Sequence, residues 1–199
     1  MGFLLEKCTL FPLNNEVLSQ CQPFTCGDAD LDDFFRNDVE KFDRQLLGKS
    51  FCYRWDENPS IIVCAFTLAN SSIDGRNLPN SRKKKLTANI PHEKNLSSYP
   101  AMLIGRLGVH RNFGKRGIGS ELIRFIQSLA LHKDNRSGCR YLTVDAYNNK
   151  IAKNYYATNG FLYLFSTEKQ EKEYIGMPEN KVLKTRLMYF DLIQLSKAR

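Results

Sequence analysis

Gly114-Lys115-Arg116-Gly117-Ile118-Gly119-Ser120 decides the fold, because an apolar run from Met102 to Val109 precedes it and an amphipathic run follows. The first run reads as a strand. After the loop, Leu122, Ile123, Ile126, Leu129 and Ala130 recur at three- and four-residue spacing, which predicts a helix with one core-facing side. Glycines at 117 and 119 remove side chains where strand passes into helix, so several backbone N–H groups converge on an anion at the helix N-terminus. Lys115 and Arg116 add positive charge, and the ligand that fits is a phosphate or pyrophosphate. No Gly-Lys-Ser/Thr ends the loop, so it is not a P-loop, and Leu122 stands where the dinucleotide fingerprint wants a third glycine. Nucleoside triphosphates and NAD are poor candidates.

Working outward, Phe51 to Trp55 and Ile61 to Leu68 are β-rich runs joined by Asp56-Glu57-Asn58-Pro59, which predicts a hairpin. Cys8 to Leu13 reads as a further short strand ending near Pro12, and Pro23 to Gly27 as a turn. Asp28 is placed to cap a helix on which Leu31, Phe34, Phe35, Val39, Phe42 and Leu46 share a stripe, a single element of about four to five turns. The polar stretch from Asp74 to Ser98, with the run Arg82-Lys83-Lys84-Lys85, reads as a solvated loop. Beyond the central helix, Tyr141 to Ala146 is a strand, and Asn148 or Asn149 caps a short helix bearing Ile151, Ala152, Tyr155 and Tyr156. Gly160 sits where a left-handed residue closes that helix. Phe161 to Phe165 and Leu187 to Leu192 complete the strands. The order is β-α-β-β-β-α-β-α-β-β, an α/β arrangement with a mixed sheet and helices on its faces.

With 199 residues, 42% hydrophobic and 25% charged, the chain can bury one sizeable core, and one domain is expected. A net charge of +8 favours a polyanionic partner. Six cysteines, at 8, 21, 26, 52, 64 and 139, form no C-x-x-C pair and are expected to be buried free thiols of a reducing cytoplasm. His92, His110 and His132 are scattered, so no metal site is expected. Met1 to Lys7 has no basic leader and no long apolar run, so neither a signal peptide nor a membrane span is expected.

Three motifs in order, Ile104-Gly105-Arg106-Leu107-Gly108-Val109, the loop Gly114 to Ser120, and Asn149-x-x-Ala152-x-x-Tyr155-Tyr156-x-x-x-Gly160-Phe161, resemble the GNAT superfamily of acetyl-CoA-dependent N-acetyltransferases. The resemblance implies a mostly antiparallel mixed sheet with a splayed central strand pair. It also implies acetyl-CoA as co-substrate, its pyrophosphate on the backbone of Gly114, Lys115, Arg116, Gly117, Ile118, Gly119 and Ser120. The pantetheine arm would pair with the strand at Leu107, Gly108 and Val109, and Asn149 matches a position that contacts the arm while also being an N-cap. Tyr156 matches the family tyrosine facing the cofactor sulfur, where a phenol protonates the departing thiolate; Tyr155 suits core packing. Gly114 departs from the family's Gln or Arg, and Lys115 or Arg116 is the substitute donor.

Asp145 and His110 are candidates for a general base, without a motif behind either, and an acceptor amine of low pKa needs none. The N-terminal pattern Phe24-x-Cys26-Gly27-Asp28-x-Asp30-Leu31-Asp32-x-Phe34, with Ala65 to Leu68, resembles the GNAT branch that includes toxins acetylating aminoacyl-tRNA. Ser166 to Lys184 is longer than the equivalent loop there and reads as an exposed helix or solvated loop. The leading expectation is acetyl transfer to a primary amine. The alternatives are a toxin acting on aminoacyl-tRNA with a neighbouring antitoxin, and a non-catalytic acyl-CoA-binding module. A homodimer stays open, and no membrane partner is expected.

Overall fold

The computed structural model describes residues 2–90 and 96–196. In chain order the elements are α1 (Phe3–Lys7), β1 (Cys8–Pro12), α2 (Asn15–Ser19), α3 (Ala29–Asn37), α4 (Val39–Arg44), β2 (Lys49–Trp55), β3 (Asn58–Asp74) and α5 (Asn80–Thr87). There follow β4 (Ser98–Val109), a 3₁₀ turn (Arg111–Phe113), α6 (Ile118–Ala130), β5 (Tyr141–Tyr147), α7 (Lys150–Thr158), β6 (Leu162–Tyr163), α8 (Glu168–Tyr174), β7 (Thr185–Asp191) and α9 (Ile193–Ser196). Among the described residues the sheet has seven strands in the order β1-β2-β3-β4-β5-β7-β6. The β4–β5 ladder is parallel, while β1–β2, β2–β3, β5–β7 and β6–β7 are antiparallel. Two compact units make up the chain, one of residues up to Ala69 with Ile104–Leu129, the other of Asn70–Leu103 with Ala130 onward.

In the first unit β1 and β2 pair from Cys8 opposite Trp55 to Pro12 opposite Phe51, and β2 turns directly into β3 with Trp55 opposite Asn58. The hairpin turn is therefore tighter than Asp56 to Pro59. Asp28 does cap α3, its carboxylate accepting the Leu31 N–H at 3.1 Å. Phe24, Phe34, Phe35, Val39, Cys52 and Ile62 are packed together in the core, with Phe24 and Phe35 edge to face at 5.6 Å. Each large apolar side chain so buried contributes about 1.5–3 kcal/mol. The single helix expected after Asp28 is instead α3 and α4, interrupted at Asp38, whose φ of −117° leaves the helical range. Leu46 is not on the buried stripe: it is 89% exposed and adopts φ +58° beyond the end of α4.

In the second unit β5 and β7 pair from Tyr141 opposite Asp191 to Tyr147 opposite Thr185. Its core gathers Ile73, Leu86, Tyr99, Tyr141, Phe165 and Tyr189. The stretch from Asp74 to Ser98 is not simply a loop, since α5 lies within it; Leu86 is 1% exposed, and its carbonyl accepts the Tyr141 hydroxyl at 2.8 Å. His92 and its neighbours in 91–95 lie outside the described residues. Ser166–Lys184 contains α8, the helical one of the two alternatives expected there, but its Glu171 is buried rather than solvated. Only Leu162–Tyr163 of the expected strand Phe161 to Phe165 pairs in the sheet. Cys8, Cys52 and Cys64 are buried free thiols, whereas Cys21, Cys26 and Cys139 are free but only half-buried.

Candidate functional site

β4 leads into the candidate cradle. Its ladder with β5 runs from Ala101 opposite Tyr141 to Leu103 opposite Thr143, although β4 itself continues to Val109. Gly108 is tightly packed: a Cβ there would lie 3.1 Å from the Cys26 Cβ and 3.3 Å from the Phe24 ring, so a neighbour would have to give. Immediately after β4, the His110 N–H donates to the Val63 carbonyl at 2.8 Å and the Arg111 N–H to the Thr25 carbonyl at 2.9 Å. These two bonds fix where the strand ends. Phe113 is buried, with ring centroids 5.7 Å from Trp55 and 5.9 Å from Phe3, and the Arg116 guanidinium lies over its face at 5.6 Å.

The loop itself is set by two left-handed residues, Lys115 at φ +61° and Gly117 at φ +79°. The Glu121 N–H donates to the Gly117 carbonyl at 3.1 Å, closing the first turn of α6. Glu121 sends its carboxylate to the Leu4 N–H at 2.8 Å, capping α1. A helix start offers its first amides outward and carries partial positive charge. With exposed Lys115 and Arg116 beside it, that end suits a phosphate or pyrophosphate. At Gly114 a Cβ would meet only the Arg111 carbonyl, at 3.4 Å, so the family's longer side chain is absent without steric need. The backbone of Ile118 is at the helix start while its side chain is buried in the core; Leu122, Ile123 and Ile126 line the same buried side, but Leu129 is exposed.

At Gly117 nothing lies within 4 Å of an added Cβ, so a substitution acts through backbone conformation. Valine at φ +79° is strained, a left-handed L-residue costing roughly 1–2 kcal/mol. Gly117→Val is expected to weaken acetyl-CoA binding in calorimetry by about five- to thirtyfold if the cradle must relax to hold the ligand. An unchanged affinity removes the pyrophosphate from this loop.

In the second unit, Asn149 caps α7, its Oδ1 accepting the Ala152 N–H at 2.8 Å. The neighbouring Asn148 has a different task. Its Nδ2 donates to Glu168 at 2.8 Å and to the Leu183 carbonyl at 3.0 Å, while its Oδ1 accepts from Lys153 at 2.8 Å. Two adjacent asparagines look alike as caps, and the sequence carried no signal to separate them. At the other end of α7, Gly160 at φ +84° completes a Schellman closure: Phe161 N–H to the Tyr156 carbonyl and Gly160 N–H to the Ala157 carbonyl, each 3.0 Å. That closure packs the Tyr156 ring 5.4 Å from Phe161 and 4.9 Å from Tyr155. Among the described residues no group hydrogen-bonds to the Tyr156 hydroxyl, and burial pushes its phenol well above the ordinary range.

The two candidate bases separate on geometry. Asp145 is exposed on β5. The His110 Nδ1 accepts the Asn112 N–H at 3.2 Å, which occupies the lone pair a neutral imidazole would need, and burial with the Arg111 charge lowers its pKa. Among the described residues no group of three or more His, Cys, Asp or Glu side chains could hold a metal ion. Nor, among the described residues, is any helix long and apolar enough to cross a membrane.

Residues 87–162 match the family model described as "Acetyltransferase (GNAT) domain". Over that segment the chain is similar to GNAT acetyltransferases. Solved structures similar to this chain include a tyrosine-to-phenylalanine mutant of KacT, at TM-score 0.71 and 18% identity over 98% of this chain and 100% of that one. AtaT complexed with acetyl-methionyl-tRNAfMet matches at TM-score 0.66 and 19% identity, over 96% of this chain and 98% of that one. A mutant of the AtaT toxin bound to the C-terminus of the antitoxin AtaR and acetyl-CoA matches at 0.61 and 16%, over 97% and 98%. At these identities the likeness is one of fold. No curated protein sequence is significantly similar to the chain.

Proposed function

We propose that the chain is an acyl-CoA N-acyltransferase, a single catalytic domain that moves the acetyl group of acetyl-CoA to a primary amine. The observation that carries this is the loop at the start of α6, with Lys115 and Gly117 both left-handed and two cations beside a helix N-terminus, inside a GNAT domain. Bound acetyl-CoA supplies the thioester carbonyl that the amine attacks. Backbone amides from Gly114 to Ser120 hold its pyrophosphate, Leu107, Gly108 and Val109 offer β4 backbone to the arm, and Asn149 adds a side-chain amide. Tyr156 donates its proton to the departing thiolate. Its phenol has no competing partner among the described residues and stays protonated at physiological pH because burial disfavours the phenolate.

The acceptor we propose is the α-amine of aminoacyl-tRNA. Support comes from the AtaT complex with acetyl-methionyl-tRNAfMet, whose fold this chain shares along nearly its whole length, and from the net charge of +8. An ester-activated α-amine is partly neutral near pH 7.5, so it does not require a dedicated base. On α5, Lys84 and Lys85 are exposed and Arg82 and Lys83 half-buried, and among the described residues no carboxylate pairs with any of the four. They are the first candidates for phosphate contacts. An antitoxin partner and a cytoplasmic setting belong to the same reading, the first supported by the AtaT–AtaR complex and the second by the six free cysteines.

The test is incubation of the pure protein with labelled acetyl-CoA and a pool of aminoacylated tRNA. Label is expected on the aminoacyl amine, with log affinity falling against log salt at roughly 0.7 to 0.9 per phosphate contact. Label on a small amine but none on tRNA at low salt removes the tRNA acceptor and leaves a general acetyltransferase. No transfer to either leaves an acyl-CoA-binding module.

A further inference from the structure

Arg106 lies within β4, one residue before the segment assigned to the cofactor arm, and its environment is unusual for a cation. The guanidinium rests on the Phe34 ring of α3 at 5.0 Å. One terminal nitrogen donates to the carbonyl of the adjacent Gly105 at 2.9 Å, while Nε is buried with no hydrogen-bond partner. Among the described residues no carboxylate forms an ion pair with it. Two carboxylates of α3 are engaged elsewhere: Asp32 accepts from the Thr25 hydroxyl at 2.6 Å and the Cys26 N–H at 2.7 Å, and Asp33 accepts from Asn37 at 2.7 Å. Taking a cation out of water without a counter-ion is costly, and a leucine at this half-buried position would pack against Phe34 without that cost. The residue type is explained if an anion arrives from outside the chain.

Which anion follows from the direction of the strand. Side chains two apart share a face, so Arg106 points the same way as Gly108, toward the α3 side where Cys26 and Phe24 lie. With the pyrophosphate on the loop after β4, the arm runs backward past Val109, Gly108 and Leu107. Arg106 is then at the acetyl end, about 10 Å along the strand from Val109 and farther still from the loop. The phosphates of acetyl-CoA are at the wrong end to pair with it.

We propose that Arg106 is an acceptor-binding residue whose guanidinium takes an anionic oxygen of the acceptor, the terminal phosphodiester when the acceptor is aminoacyl-tRNA. This rests on the acceptor reading above. A planar guanidinium stacked on Phe34 keeps its hydrogen-bonding edge in a fixed plane, which suits a phosphate better than a mobile ammonium does.

Arg106→Gln and Arg106→Lys, with the wild-type chain, are to be assayed on an aminoacylated tRNA pool and on the methyl ester of one of the same amino acids, which has the amine but no phosphate. Acetyl-CoA affinity is measured beside them by calorimetry. In Arg106→Gln the KM for aminoacyl-tRNA is expected to rise about ten- to a hundredfold with a much smaller change in kcat, as for loss of a charged hydrogen bond. The ratio of kcat/KM on tRNA to that on the methyl ester falls correspondingly, acetyl-CoA affinity is kept, and Arg106→Lys falls between. Equal losses on both acceptors make Arg106 a structural strut, and weakened acetyl-CoA binding with an unmoved acceptor KM assigns it to the cofactor; either overturns the proposal. Should Arg106→Gln fail to fold, the shift in the acceptor ratio for Arg106→Lys decides in its place. A wild-type chain that leaves tRNA unlabelled overturns the acceptor reading and the arginine's role with it. Labelled tRNA with unmoved KM in the variants overturns the arginine's role alone.

Discussion

Tyr156→Phe is expected to fold and bind acetyl-CoA as the wild type does, and to turn over about 10² to 10⁴ times more slowly. The variant removes one oxygen that has no hydrogen-bond partner among the described residues, so packing against Tyr155 and Phe161 is kept and no other donor or acceptor is orphaned. On the proposed mechanism, what disappears is the proton for the leaving thiolate. Because burial holds the phenol above its ordinary range, Tyr156 remains a donor throughout the neutral and mildly alkaline region. The rate of the wild type should therefore rise with pH only through deprotonation of the acceptor amine, which for an ester-activated α-amine lies below the roughly 7.7–8.0 of an ordinary α-amine. The variant should show the same rise to a much lower plateau. Wild-type turnover in the variant, on an acceptor confirmed to be acetylated, would make Tyr156 a packing residue.

How much of this was legible in the sequence depends on whether a residue's partner is near it in the chain. The loop from Gly114 and the cap at Asp28 were legible, and the cap of α7 to within the pair Asn148 and Asn149, because glycine conformation and Asx capping are local: Gly117 is left-handed, and each cap accepts from an N–H three residues on. Apolar spacing found the core of α3 and α4 but not the break between them, since Val39 returns to the same core after one non-helical residue and the stripe carries on unbroken. It likewise extended the stripe to Leu46, beyond the helix end. In α5 the failure was compositional. A run as polar as Asn80–Thr87 has no apolar face, and Leu86 is buried by Tyr99 and Tyr141, residues that only the fold brings to it. Arg106 reads in sequence only as one residue of a strand motif, because its lack of a counter-ion is a property of three dimensions.

Removing Glu171 alone, as Glu171→Ala, is expected to destabilise the chain by about 3–5 kcal/mol, a fall in Tm of roughly 6–20 °C, although this residue sits in a segment whose composition predicts an exposed helix or a solvated loop. One carboxylate oxygen accepts from Arg186 Nε at 2.7 Å and the other from the Leu187 N–H at 2.5 Å, so α8 is pinned to β7 at two points. Arg186 also donates to the Phe165 carbonyl at 3.2 Å and lies over the Tyr163 ring at 4.9 Å. Alanine would leave that guanidinium buried with no anion. Yet the pair is not a net source of stability by virtue of its charge: burial, the largest influence on Glu171, holds its carboxyl above the ordinary range in spite of Arg186. Desolvation thus outweighs the attraction. The same variant paired with Arg186→Met should recover most of the loss, because the second substitution removes the stranded charge and fills its volume with an apolar chain. Thermal melts of the wild type, the two single variants and the double variant give the coupling directly. Additive losses in that cycle would mean that α8 is held by Tyr174, whose hydroxyl bridges the backbone of Asp74, and that the ion pair is incidental to it.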